Sequence, residues 1–154
     1  GNSAVALSYE GLAWITGAAI VLGGDLPTAP ILLIALLYSI GAHGIMTLND
    51  FKSVEGDLQM GIRSLPAQLG RERAAKVACV FMLLPQLVVI ALLLQWQLVP
   101  YAAAVTTVVV AQCLAMKRLL SDPKQLAPWY NATGVSLYVL GMMSAAVGLG
   151  GWFV

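Results

Sequence analysis

Charged residues are scarce in this sequence. Asp, Glu, Lys and Arg together make up 10% of its 154 residues, while 60% of the residues are hydrophobic. A soluble domain normally carries about 25% charged and about 45–50% apolar residues. This deficit of charge excludes a soluble core of this size with a hydrated surface, and no nucleic-acid partner is expected. The lipid bilayer is therefore predicted to surround much of the protein.

Cysteine and histidine are also scarce. Cys79 and Cys113 both lie inside apolar runs, where a cysteine packs as a small hydrophobic residue, so no disulfide is expected. The only histidine is His43. The chain begins at Gly1, and no basic segment or small-residue cleavage site precedes its first apolar run, so a secretory signal is not expected. We expect the start of the protein to lie upstream.

Five long apolar stretches organise the chain, and period-2 alternation, which would indicate strands, is absent. Each is about 19–22 residues long, enough for an α-helix to cross a hydrocarbon core of about 30 Å. The stretches cover approximately residues 3–24, 28–48, 74–94, 98–116 and 133–154. The sequence therefore predicts an all-α polytopic membrane protein with five transmembrane helices.

The basic residues lie on one side of this predicted bundle. All eight Lys and Arg residues fall in or beside the segments that join the second to the third and the fourth to the fifth stretch. With five spans, these two segments lie on the same side of the membrane, and the opposite loops contain Asp25 but no basic residue. Because basic loops remain in the cytoplasm, the long polar loop 49–73 is predicted to be cytoplasmic.

This loop gathers oxygen-bearing side chains within nine residues: Asn49, Asp50, Ser53, Glu55 and Asp57. If the preceding helix continues, Asn49, Ser53 and Asp57 share one face, and Asp50 and Asp57 lie two turns apart. Carboxylates clustered on one face repel each other, and a bound cation removes that penalty. The spacing is therefore compatible with a cation site at the membrane boundary.

Oxygen ligands without a nearby histidine or cysteine suit Mg²⁺, which takes one or two carboxylates together with water and phosphate oxygens. Lys52 and Arg63 would then meet the remaining phosphate charge. The alternative is a solvated loop whose acidic residues balance five nearby basic residues. The spacing alone leaves both interpretations open.

The string NDFKSVEGD…GIRSLPAQLG resembles the second aspartate-rich motif of the UbiA superfamily of intramembrane prenyltransferases, closest to its chlorophyll and bacteriochlorophyll synthase branch. The strings GNSAVALSYEGLAWITGAA and APWYNATGVSLYVLGMM resemble helices of the same branch. The resemblance implies a nine-helix bundle in which two acidic motifs face each other across a cavity, each helping to hold Mg²⁺ and a prenyl diphosphate. Residues 1–154 would form the carboxyl-terminal portion, spans five to nine.

The chain departs from the family pattern in two ways. The common form NDxxDxxxD maps onto Asn49, Asp50, Ser53 and Asp57, so a serine stands where a carboxylate is common. The resemblance thus leaves Asn49, Asp50 and Asp57 as metal ligands, the two aspartates as catalytic residues and Glu55 as a possible helper. No first motif occurs in these 154 residues, so this chain alone is expected to be inactive.

Two other polar residues inside the spans are candidates for substrate contact. His43 precedes Asp50 by two helical turns and could face the cavity, although a lone histidine in a span often only bonds a neighbouring helix. Glu10 lies within the first span, where an ionisable side chain is costly and should face protein or a cavity, unless it snorkels to the cytoplasmic end. Four aromatic residues near the proposed interfaces are expected to be belt residues: Trp14, Trp129, Tyr130 and Trp152.

The reaction implied by the resemblance is transfer of a geranylgeranyl or phytyl group from its diphosphate to the propionate of (bacterio)chlorophyllide, late in pigment biosynthesis. The alternatives are a related prenyltransferase with a quinone or haem acceptor, and a non-enzymatic membrane scaffold or pigment-handling subunit. The implied location is a bacterial inner, intracytoplasmic photosynthetic membrane. The implied partners are the two substrates, the lipid bilayer, and other pigment-biosynthesis or photosystem assembly proteins.

Overall fold

The computed structural model describes residues 2–150, and Trp152 lies outside this range. Every regular element in that range is helical, and no β-strand occurs in it. The elements are α1 (Asn2–Ala6), a π-helical turn (Leu7–Leu12), α2 (Ala13–Val21), α3 (Ala29–Asn49), a 3₁₀ turn (Asp50–Lys52), α4 (Val54–Gln59), α5 (Leu65–Leu69), α6 (Arg71–Gln95), α7 (Val99–Leu119) and α8 (Pro123–Gly150).

Five helical segments are long and apolar enough to cross a membrane: Ala4–Val21, Ala29–Lys52, Arg71–Gln95, Val99–Leu119 and Pro123–Gly150. The first runs through α1, the π-helical turn and α2, and the other four contain α3, α6, α7 and α8. The number and type of the predicted spans are therefore confirmed.

The last helix begins at Pro123 rather than at residue 133, ten residues earlier than its apolar stretch. Asp122 explains this start, because its Oδ1 accepts a hydrogen bond from the backbone N–H of Gln125 at 3.1 Å and caps the helix. Pro123 takes the first helical position, where its missing N–H leaves no bond unmade. Hydropathy marks only the apolar part of this helix, whereas its capping signal lies further upstream.

Helix α3 packs against the first span, against α6 and against α8. Two glycines permit this close packing. A Cβ on Gly44 would meet the backbone oxygen of Ala78 in α6, and a Cβ on Gly41 would meet the hydroxyl of Tyr138 in α8. That hydroxyl donates a hydrogen bond to the backbone oxygen of Tyr38 at 2.6 Å. Small residues thus bring the helix backbones together, as is typical of membrane bundles.

A buried chain of polar side chains joins α6, α7 and α8. Gln86 Nε2 donates to Gln112 Oε1 at 2.7 Å, and Gln112 Nε2 donates to the Tyr130 hydroxyl at 3.3 Å. Tyr130 is fully buried, so the expectation that it belongs to an interfacial belt is wrong: its hydroxyl pairs with Gln112 inside the bundle. Trp14 stacks on Tyr38 with ring centroids 5.8 Å apart.

Candidate active site

The polar motif begins where α3 ends. The helix stops at Asn49 and tightens into a 3₁₀ turn over Asp50–Lys52, and Ser53, with φ −110°, leads into α4. The helix therefore does not continue through the motif, and the face shared by Asn49, Ser53 and Asp57 in an unbroken helix is not formed. Of these three residues, Ser53 and Asp57 remain in contact across the break.

Ser53 bridges the two aspartates of the motif. Its hydroxyl lies 3.1 Å from the backbone oxygen of Asp50 and 3.4 Å from Oδ2 of Asp57, and it can donate its single proton to either of them. The backbone N–H of Asp57 donates to the carbonyl of Ser53 at 2.8 Å. The serine in the irregular position therefore contacts both the end of α3 and the carboxylate of Asp57.

Asn49 faces α8. Its Oδ1 accepts a hydrogen bond from Nδ2 of Asn131 at 3.1 Å, in a partly buried position. The other amide atom of Asn131, Oδ1, is buried and has no hydrogen-bond partner. Sequence reasoning missed Asn131 as a site residue. The available signal was an amide inside the string APWYNATG, which otherwise reads as part of an apolar helix.

Glu55 is paired with a basic residue at the start of α6. Arg71 Nη2 donates to Glu55 Oε1 at 2.7 Å. This hydrogen bond is the main reason that the pKa of Glu55 is lowered, followed by a backbone hydrogen bond within Glu55 itself, while the charges of Arg71 and Lys124 lower it further. Lys124 lies at the start of α8, so both basic segments lie at one end of the bundle. The ion pair ties α4 to α6 and engages one oxygen of the possible helper Glu55.

The two residues predicted to bind phosphate, Lys52 and Arg63, are exposed in the same loop. The backbone oxygen of Arg63 accepts a hydrogen bond from Gln68 Nε2 at 2.7 Å, which anchors the second half of the loop. Within residues 2–150, no three side chains of His, Cys, Asp or Glu converge to form a complete metal site.

The structure separates His43 and Glu10. The ring of His43 lies against Phe81 of α6, with centroids 4.9 Å apart, and its Nδ1 is buried without a hydrogen-bond partner. Glu10 is half-buried in the π-helical turn and lines an apolar groove of about 560 Å³ between the first span and α8. His43 thus lies on the α6 side of α3, whereas Glu10 opens onto a cavity.

Comparison with known proteins identifies the family. The model of the UbiA prenyltransferase family matches residues 3–140. The chain belongs to this family. It is 56% identical over 98% of its length to the bacteriochlorophyll synthase 33 kDa chain of Cereibacter sphaeroides, and 48% identical over 97% to the bacteriochlorophyll synthase 34 kDa chain of Chloroflexus aurantiacus. It is 36% identical over 96% to the chloroplastic chlorophyll synthase of Arabidopsis thaliana.

The chain spans about half the length of the bacterial relatives, 50% and 47%, and 38% of the plant enzyme. No solved structure matches it. As a member of the UbiA prenyltransferase family with five membrane-crossing helices, it is an integral multi-pass membrane protein. The resemblance noted from its sequence is therefore confirmed. UbiA prenyltransferases generally use a divalent metal, and the hard oxygen atoms at the end of α3 fit that requirement.

Proposed function

We propose that this chain is part of a (bacterio)chlorophyll synthase, which transfers a geranylgeranyl or phytyl group from its diphosphate to the propionate of (bacterio)chlorophyllide. The observation that carries the proposal is the 56% identity to a bacteriochlorophyll synthase chain across 98% of these residues. Residues 1–154 would be the carboxyl-terminal portion of one UbiA-type domain. The first acidic motif would then lie in the length that the relatives have and this chain does not.

Asn49, Asp50 and Asp57 are proposed to hold Mg²⁺ together with the diphosphate. When bound, Mg²⁺ neutralises the charge that develops on the departing diphosphate. The chemistry of the three side chains supports this role, because Mg²⁺ prefers hard oxygen ligands that it shares with water and phosphate. Lys52 and Arg63 would contribute positive charge to the same phosphates. Ser53 would hold the Asp57 carboxylate in place through the hydrogen bond seen at 3.4 Å.

The proposed reaction requires little acid–base catalysis from the protein. The allylic C–O bond breaks with both electrons leaving on the diphosphate, and a propionate oxygen forms the new C–O bond of an ester. A carboxylate is already deprotonated at neutral pH, so no general base is needed, in keeping with a loop that contains no histidine. The apolar walls of the bundle would exclude water, which would otherwise capture the allylic cation.

The proposed location is a bacterial inner, intracytoplasmic photosynthetic membrane, with the motif on the cytoplasmic side. In support, Arg71 pairs with Glu55, and the hydrogen bond between Asn131 and Asn49 brings the start of α8, which carries Lys124, to the same end of the bundle. Basic residues gathered at one end indicate the cytoplasmic side. Other pigment-biosynthesis or photosystem assembly proteins are proposed as neighbours in that membrane.

The central test is Asp57→Ala in the complete gene product, assayed by esterification of chlorophyllide with geranylgeranyl diphosphate. We expect a loss of about 100-fold or more in turnover, as when one group that stabilises developing charge is removed. Asp25→Ala is the matched control, because Asp25 is exposed at the opposite end of the bundle and should leave turnover unchanged. Near-normal turnover in Asp57→Ala would overturn the assignment of this residue.

Two further observations test the identity of the reaction. An acceptor panel of chlorophyllide, a quinone precursor and haem should give a prenylated product with chlorophyllide, and prenylation of another acceptor alone would contradict the proposal. Reading the coding sequence upstream of Gly1 should reveal an NDxxDxxxD motif. A start codon at Gly1 with no such motif elsewhere in the genome would instead favour a non-enzymatic subunit.

A further inference from the structure

Glu10 is the one acidic residue of this chain that lies away from the loops and helix ends. The other six Asp and Glu residues all belong to loops or to the first or last turns of helices. An ionisable side chain inside a membrane span is costly and marks a functional contact by default. In the structure Glu10 is half-buried and lines the apolar groove of about 560 Å³. Its carboxyl group therefore borders a cavity whose walls are otherwise apolar.

The backbone around Glu10 is irregular. Residues Leu7–Leu12 form a π-helical turn inside the first span, between α1 and α2. Short π-helical segments within α-helices occur frequently at functional sites, because the extra residue re-aims the side chains of that turn. The groove and the irregular turn are two independent observations, and both single out the same side chain.

The walls of the groove suit a flat ring. Trp14 forms one side and is held in place by stacking on Tyr38, with ring centroids 5.8 Å apart. Small residues such as Gly17 and Ala146 leave open space, and Met142 offers a polarisable sulfur. Aromatic faces and methionine sulfur pack favourably on a conjugated ring. The volume lies within the range of about 300–1,000 Å³ that is common for small-molecule sites.

The depth of Glu10 also suits the reaction. Tyr38 precedes Asp50 by twelve residues, about 18 Å along an α-helix. Because Trp14 packs on Tyr38, the two residues lie at about the same depth. Glu10 lies one helical turn closer to the motif end than Trp14, and this places it about 12 Å below Asp50. A ring bound at this depth could extend its propionate arm towards a diphosphate held at the motif.

We propose that this groove binds the tetrapyrrole ring of the acceptor, and that the Glu10 carboxylate is the axial ligand of the central Mg²⁺ of that ring. The proposal rests on the proposed function. A carboxylate oxygen is a hard ligand that matches Mg²⁺ in charge and chemistry. His43 is the poorer candidate, since its ring packs against Phe81 on the α6 side of α3 and does not line the groove.

The test compares two probes, chlorophyllide that contains Mg²⁺ and the same ring without metal, titrated into the purified complete protein and followed by absorbance. The unaltered protein should bind the Mg²⁺ form more tightly. Glu10→Leu, which removes the ligand oxygen at similar size, should lower that preference at least about tenfold, the lower end of the loss caused by removing even a supporting group of a metal site. Affinity for the metal-free ring should not change. Glu10→His, which supplies another ligand, should restore the preference with a shifted absorption band.

Met143→Leu is the matched control, because it alters the groove wall without touching a ligand; it should affect both rings equally. Equal preference in Glu10→Leu and the unaltered protein, or an equal loss for both rings, would overturn axial ligation by Glu10. If the proposed function itself is wrong, the experiments give a different result. In that case the unaltered protein would bind neither ring, and Asp57→Ala would have no pigment esterification to abolish.

Discussion

Asn131 allows the proposed metal–diphosphate site to be perturbed without removing any of its proposed ligands. It lies on α8, 82 residues from Asn49, and donates a hydrogen bond to Oδ1 of Asn49 at 3.1 Å. That oxygen is one that Asn49 would offer to a metal. We therefore expect Asn131→Ala to let the amide of Asn49 rotate, which weakens binding at the motif while leaving Asp50 and Asp57 in place.

The expected size follows from the hydrogen bond itself. Hydrogen bonds between membrane helices contribute about 0.6 kcal/mol on average and about 1.7 kcal/mol at most. If all of this energy orients Asn49, the apparent affinity for Mg²⁺ and prenyl diphosphate should fall about 3-fold to about 20-fold. Asn49→Ala removes the proposed ligand and should cost about 100-fold or more in turnover.

The thermal stability of the Asn131→Ala variant should change less than its substrate affinity. Oδ1 of Asn131 is buried without a partner, so Asn131→Ala removes this unfavourable group together with the favourable hydrogen bond. The two effects oppose each other, and we expect the thermal midpoint of the complete protein to change little. Initial rates measured against Mg²⁺ and prenyl diphosphate concentration give the decisive comparison. A KM unchanged in Asn131→Ala, or a kcat loss as large as that of Asn49→Ala, would refute a positioning role.

Two further predictions concern packing and pH. Gly44→Ala should destabilise the bundle by about 1–3 kcal/mol, because the added Cβ meets the Ala78 backbone and forces α3 away from α6. Gly17→Ala is the control and should change the thermal midpoint little, because its Cβ meets nothing. Equal thermal midpoints for the two variants would contradict the close packing of α3 on α6. The pKa of Glu55 is lowered below its ordinary value of 4.5 by Arg71, so this ion pair should stabilise the loop above pH 4.5 and lose its effect as the pH falls through the lower folded-state pKa. The midpoint difference between the unaltered protein and Glu55→Gln should therefore shrink on acidification, and a difference that grows would contradict this sign.

The membrane helices could be predicted because their signal is local. A run of about 20 apolar residues marks a span whatever surrounds it. Which neighbours surround a side chain of a helix depends on the packing of the whole bundle, so the local sequence does not predict it. Tyr130 falls near a predicted interface, yet its hydroxyl pairs with Gln112, eighteen residues earlier in the chain, and the ring is fully buried. The early start of α8 was missed because a capping residue, Asp122, rather than hydropathy sets it.

The candidate site, like the fold, could be predicted from the sequence only in part. The residue types of the motif predicted hard oxygen ligands, and their role as ligands stays a prediction; the structure places Asn49 at the end of α3 and Asp57 in α4. The break in the helix after Asn49 was not predicted, because no proline interrupts NDFKS and the 3₁₀ turn depends on the surrounding packing, including that of buried Phe51. The contact with Asn131 joins residues far apart in the chain, so no spacing rule within the motif could reveal it.

The geometry around Ser53 explains how a serine can replace the carboxylate that is common in this position. Its hydroxyl lies 3.4 Å from Oδ2 of Asp57 and 3.1 Å from the backbone oxygen of Asp50. A carboxylate in this position would place a second negative charge beside Asp57, and like charges that close repel unless a cation lies between them. Ser53 instead donates its single hydrogen bond to one or the other of these two acceptors. The motif can therefore keep its shape before a cation arrives, and under the proposed assignment Mg²⁺ would meet two aspartates and one asparagine instead of three aspartates and one asparagine. The remaining negative charge around the ion would then have to come from the diphosphate and from an acidic motif outside these residues.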